Sequence, residues 1–179
     1  MSQLYASLFY QTEVTEIFSD RALVSYMIET EVALAQAQVG VIPESAATAI
    51  FQIAQTAIDQ FDFDALAVAT GLAGNIAIPF VKQLTAIVKQ NDEDAARYVH
   101  WGATSQDILD TACILQCRAA MTQVEALIQQ CYRTTMTQAE QYRSQVMIGR
   151  TWLQQGLPIT LGHKLARWAF IVIWPVLKP

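Results

Sequence analysis

The sequence predicts an all-α fold, and three observations predict it. Apolar residues recur at steps of three and four in one segment after another. No stretch alternates apolar and polar residues for long enough to read as a strand. Residues 105 to about 142 contain neither Pro nor Gly, which predicts a single helix of roughly 55 Å at 1.5 Å per residue. A helix of that length belongs to a bundle rather than to a small globular unit.

The elements follow in order. Ser19 and Asp20 offer caps for a helix over residues 22–39 that Gly40 ends. Pro43 and Glu44 open the next, which continues through Ile50, Ile53 and Ile58. The acidic break at residues 61–64 lets Asp64 cap a short helix ending near Gly71, and Pro79 starts another through Val81, Leu84 and Val88. Residues 90–94 read as a loop or a helix start, and residues 98–102 as a turn carrying two large aromatics. In the long helix Ile108, Ala112, Leu115 and Ala119, then Val124, Leu127, Ile128 and Cys131, form the apolar stripe. Gly149 is read as its end, and Pro158 as lying in the first turn of a last helix through His163 and Trp168.

Composition narrows the function. Hydrophobic residues make up 53% of the 179, and charged residues 15%, against about 25% in an average soluble domain. So few charges suggest helices that bury more than one face. The net charge is −5 and no run of Lys or Arg occurs, which argues against a nucleic-acid partner. Three cysteines without paired spacing point to a reducing compartment. Cys113 and Cys117, one helical turn apart, are expected to be small buried groups rather than metal ligands. The start, MSQLYASLFYQTEVTEIF, lacks the basic and apolar regions of a leader, and the most apolar stretch, residues 168–177, is short of the about 20 residues that cross a bilayer. A cytoplasmic protein without a membrane partner is expected.

Three segments can carry chemistry. The first, residues 100–107 (HWGATSQD), places two hydroxyls and a small-residue turn at the mouth of the longest helix. Thr104 and Asp107 have capping-box spacing, so capping alone accounts for them. The other reading is that the helix start, with unpaired N–H groups and partial positive charge, seats a carboxylate aided by Thr104 and Ser105. The second, residues 149–158 (GRTWLQQGLP), gathers a cation, a hydroxyl, an indole and two amides where the long helix is expected to end. The third, residues 74–79 (GNIAIP), is a tight turn before a helix.

Taken in this order, GNIAIP, RYVHWGATSQDILDT and GRTWLQQGLPITLGHKLARW resemble the fumarase/aspartase superfamily. Within it they are most similar to the bacterial cycloisomerases of 3-carboxy-cis,cis-muconate, and the resemblance runs from about Ser2 to about Ala169. It implies a first helical domain over residues 1–111 and, over residues 112–179, the start of a central bundle that four copies build together. It also implies active sites assembled from three subunits, a tricarboxylate substrate and a role in aromatic-compound catabolism. Thr104 and Ser105 match positions that hold a substrate carboxylate, with His100 and Asp107 beside them, and Asn75 matches a position near the substrate. Arg150, Thr151 and Gln155 are further candidate donors. Where the lyases commonly carry a His after the Thr of GRT, this sequence has Trp152. An indole donates but cannot cycle a proton, which favours the cycloisomerases over the lyases. His100 and Trp152 are the catalytic candidates, and neither a metal nor a cofactor is expected. An adenylosuccinate-lyase-like enzyme and a non-catalytic helical assembly module are the alternatives. Complete members carry a mobile GSSxMPxKxNP-like loop further on, absent from these residues, and the tail FIVIWP departs from the family's mixture of charged and apolar residues. That pattern reads as a truncation or a change of frame, so the isolated chain is expected to form no lactone and to associate through its apolar end.

Overall fold

The computed structural model describes residues 12–177; side chains are described for residues 13–173. The leader-free reading of the first eleven residues, and the side chains of the apolar tail from 174 on, lie outside the described residues. The helices are α1 (Thr12–Ile17), α2 (Asp20–Ala37), α3 (Glu44–Ala57), α4 (Phe63–Ala73), α5 (Ala77–Asn91), α6 (Glu93–Ala96), α7 (Ser105–Gln141) and α8 (Leu161–Leu177). Two short strands, β1 (Val146–Arg150) and β2 (Gln155–Thr160), stand between the last two helices. The fold is all-α, with that hairpin as a small addition. No helix among the described residues is long and apolar enough to cross a membrane.

The chain forms two compact units, one ending at Ala120 and the other beginning at Met121, and α7 contributes to both. In the first unit, capping explains where helices begin. The Ser19 side chain accepts from the Ala22 N–H at 3.2 Å, Asp62 from Ala65 at 2.9 Å, and Asp92 from both Asp94 and Ala95. Asp62 therefore does the capping that the sequence reading gave to Asp64, and the helix runs on to Ala73. It stops at Gly74, whose left-handed backbone (φ 78°) lets its N–H reach back to the Thr70 carbonyl at 3.0 Å.

The core of this unit joins Met27 and Val24 of α2, Ile50 of α3, Phe80, Leu84 and Val88 of α5, and Ile108 and Ala112 of α7. Phe80 is fully buried and lies parallel to Phe61, with ring centroids 5.4 Å apart. The buried stripe at the start of α7 is Ile108, Ala112, Gln116 and Ala120. Gln116 is tolerated there because its Nε2 donates to the Ile17 carbonyl at the end of α1, 2.8 Å away. Cys113 and Cys117 are off this stripe and exposed, against the expectation of buried thiols. They do share a direction: the neighbouring Cys117 pushes the Cys113 thiol above its ordinary value.

The second unit corrects the sequence reading of residues 142–160. The long helix ends at Gln141, not near Gly149, and the expected loop is an antiparallel hairpin in which Val146 faces Thr160, Met147 faces Ile159, Ile148 faces Pro158 and Arg150 faces Gln155. Aliphatic residues at 146–148 suit a strand, and the pattern was too short to register as alternation. Pro158 belongs to β2 and not to a helix; a two-stranded sheet has only edges, where a missing N–H need not break a ladder. The register slips between Ile148 and Arg150. Gly149 sits in that bulge, where an added Cβ would lie 2.5 Å from the Leu157 carbonyl oxygen. Leu161 and Gly162 start α8 by donating to the carbonyls of Gln145 and Tyr142, at 2.8 and 2.9 Å. Along α7, no described residue between Ala120 and Ala139 is buried, and Met121 and Leu127 stand exposed.

Candidate functional site

In the first unit His100, Thr104, Ser105 and Asp107 lie at the turn into α7. Gly102 takes a left-handed φ of 72° and His100 one of 59°, so the chain reverses twice before the helix begins. Tyr98 and Trp101 pack their rings 5.5 Å apart across this turn. Thr104 then precedes the first helical residue, Ser105. The Asp107 carboxylate accepts the Thr104 N–H at 2.9 Å, and the Asp107 N–H donates to the Thr104 carbonyl at 3.1 Å. That is the reciprocal half of a capping box, with Asp in place of Glu. Asp107 is thus engaged in holding the helix start, and its negative charge partly offsets the positive end of the helix. The N–H groups of Ser105 and Gln106 precede any intrahelical acceptor and point out of the first turn. Thr104 is exposed and Ser105 half-buried. Asn75 sits apart in sequence, in the turn between α4 and α5, where its Oδ1 accepts the Ile78 N–H at 3.3 Å.

His100 has a partner that the sequence reading did not find. Its Nδ1 lies 2.6 Å from Oε1 of Glu31 on α2, 69 residues earlier. The Glu31 side chain is 1% exposed and the His100 side chain 20%. The other carboxylate oxygen of Glu31 is buried without a hydrogen-bond partner. One signal was available: Val24, Met27, Ile28 and Ala35 define the buried face of α2, and Glu31 stands on it, an acid among apolar residues. Burial pushes the Glu31 carboxyl above its ordinary 4.5, while the hydrogen bond from His100 and the charge of His100 pull it down. Because the folded value lies above the unfolded one, the stabilisation from this shift is complete below about 4.5 and is lost as pH rises through the folded value. Glu31→Gln is therefore expected to flatten the decline in stability of the first unit as pH rises. Urea unfolding of both proteins from roughly pH 4 to 7 measures this, and equal slopes would refute it.

In the second unit Arg150, Thr151 and Gln155 line a cleft of about 500 Å³ together with Met147, Ile148, Leu153 and Gln154. The Thr151 N–H donates to the Gln154 carbonyl at 3.0 Å, closing the tight turn of the hairpin, and Leu153 takes a left-handed φ of 56°. Trp152 projects from that turn, 89% exposed, and does not line the cleft. A neighbouring cleft of about 380 Å³ lies between the hairpin and α8, where Arg150, His163, Lys164 and Arg167 gather. Lys164 Nζ stands 5.0 Å over the Trp168 ring. His163, Lys164 and Arg167 were in the quoted motif but not assigned to the site. Among the described residues, no three His, Cys, Asp or Glu side chains cluster so as to hold a metal ion.

Comparison with known proteins supplies the frame for these two sets. The model of a family described as lyase matches residues 10–172. The chain belongs to the lyase family. The resemblance of its three motifs to the fumarase/aspartase superfamily holds, and with it the all-α fold class. A 3-carboxy-cis,cis-muconate cycloisomerase of Acinetobacter baylyi is 80% identical over 171 residues, which are 94% of this chain and 38% of that protein. A protein of the same description from Pseudomonas putida is 43% identical, over 92% of this chain and 39% of its own length. The crystal structure of a β-carboxy-cis,cis-muconate cycloisomerase from Acinetobacter calcoaceticus sp. ADP1 superposes with a TM-score of 0.91 at 78% identity, covering 95% of this chain and 40% of that one. The chain thus spans about two-fifths of the length of the lyase-family relatives it matches.

Proposed function

We propose that this chain is the amino-terminal part of a 3-carboxy-cis,cis-muconate cycloisomerase, acting in the cytoplasm in the breakdown of aromatic compounds. The observation that carries the reading is 80% identity, over 94% of the chain, to the Acinetobacter baylyi protein of that name. Trp152 supports it, because an indole stands where the lyases of the superfamily commonly carry a proton-cycling His.

In this reading a carboxylate oxygen of the substrate bonds to a carbon of the conjugated diene. The π electrons shift toward another carboxylate, and the carbon beside it then takes a proton. The substrate is a trianion, so the site must offer donors aimed at the oxygens that gain charge. Ser105, Thr104 and the first-turn N–H groups of α7 supply donors at one place, and Arg150, Thr151 and Gln155 at another. Asn75 borders the substrate. Asp107 keeps the helix start in shape. His100 moves a proton, and Trp152 shapes the site and donates its N–H. Residues 1–111 form the first domain, and residues from 112 enter a central bundle of four identical chains. The uncovered middle of α7, with Met121 and Leu127 exposed, suits such packing.

The test is turnover by the complete enzyme. Lactone formation from 3-carboxy-cis,cis-muconate, with no cleavage of adenylosuccinate, is expected; the reverse result overturns the reading. Ser105→Ala should remove one charge-assisted hydrogen bond and lower kcat/KM by roughly 10- to 100-fold. The helical circular dichroism should stay unchanged, since the cap between Thr104 and Asp107 remains.

A further inference from the structure

We propose that Glu31 is a positioning residue that fixes the tautomer of His100, keeping a hydrogen on Nδ1 and leaving Nε2 as the ring nitrogen that exchanges a proton. The proposal deepens the reading of His100 as a proton carrier. Three observations carry it: the 2.6 Å contact between Nδ1 and Oε1, the near-complete burial of Glu31, and the left-handed backbone at His100.

The chemistry of the pair is restrictive. Nδ1 and Oε1 stand 2.6 Å apart, a distance that requires one hydrogen between them. An ionised carboxylate can only accept. Facing the ionised Glu31 carboxylate, Nδ1 therefore carries the hydrogen in the neutral ring as in the cationic one, and Nε2 is the nitrogen left to gain and lose a proton. In its neutral form such a ring offers a lone pair at Nε2, as a base must. Without Glu31 the neutral ring would divide between two tautomers, and in one of them Nε2 would be a donor with no lone pair to offer.

The cost of the arrangement points the same way. The second oxygen of Glu31 is buried without a partner, and an apolar residue at this place on α2 would carry no such penalty. A non-glycine residue in the left-handed region is also uncommon, and strain of this kind gathers at working sites. The two features belong to the two residues of the one contact.

The sequence holds two histidines, His100 and His163, so the ring nitrogens can be read one residue at a time in the 179-residue chain labelled with ¹⁵N-histidine. Two-bond proton–nitrogen correlation spectra should show neutral His100 as the Nδ1–H tautomer, with a proton on Nδ1 shifted far downfield, and His163 serves as the exposed reference. In Glu31→Gln the downfield proton should be lost and the tautomers should mix. An Nε2–H tautomer in the wild-type chain overturns the proposal, as would a Glu31→Gln spectrum that keeps the Nδ1–H signature. If Glu31→Gln loses its amide dispersion, Glu31→Asp is the second variant: the charge stays, the reach shortens, and the downfield proton should still be lost. A purely structural Glu31 would change stability and leave the ring spectrum alone. The measurement needs neither ligand nor turnover, so its failure and that of the cycloisomerase reading are separate results.

Discussion

Replacing Phe80 by Ala is expected to lower the unfolding free energy of the first unit by about 3–5 kcal/mol. Phe80 is fully buried in α5, in the core that α2 and α3 also help to build, and its ring lies against that of Phe61. Truncation removes the apolar surface and the stacked pair and leaves a void among residues that cannot all move inward, because they belong to several different helices. A loss of that size is a large part of the stability of a small domain, so the variant should unfold at clearly lower urea with an unchanged slope. Urea denaturation followed by circular dichroism measures it. A cost below about 1 kcal/mol would mean that the packing around Phe80 is looser than described.

Gly162→Val should have the second large effect, and it should fall on the other unit. A Cβ at Gly162 would run into the carbonyl oxygen of Ala139 and the backbone of Arg143, at the end of α7. Flexible side chains can step aside from such a clash; two backbones held by their own hydrogen bonds cannot. Overpacking costs typically about 1–3 kcal/mol, and the upper end applies where only backbone can yield. The N–H groups of Leu161 and Gly162, bonded to Gln145 and Tyr142, would exchange faster by roughly 5- to 150-fold. Amides in the core of the first unit should keep their protection. Equal loss in both units would show that they open together.

How far the molecule could be read from its residues depended on the range of the cause. Ser19 acts within three residues of itself, and the helix start beside it was legible, whereas the stops read at Gly40 and Gly71 fell at Ala37 and Ala73. The start of α7 was legible for the same reason, down to the bond between Asp107 and Thr104. The hairpin was not, because its strands are five and six residues long and carry Gly149 and Pro158, which read as breakers until a bulge and a sheet edge accommodate them. Cys113 and Cys117 were misplaced by one position around the helix, since Gln116 took the buried stripe that a polar residue was not expected to hold. The partner of His100 lay 69 residues away, beyond what any local spacing reveals.

The bond from Gln116 to the Ile17 carbonyl spans 99 positions of the chain. It joins the first described helix of this unit to α7 and so closes the described chain between them into a ring. Closing a loop of this size costs on the order of 4 kcal/mol of chain entropy by the logarithmic rule, so the clasp forms only after the intervening helices have brought its ends together. Folding of this unit should therefore finish at α1, and α1 should be the first element to fray when the protein is warmed.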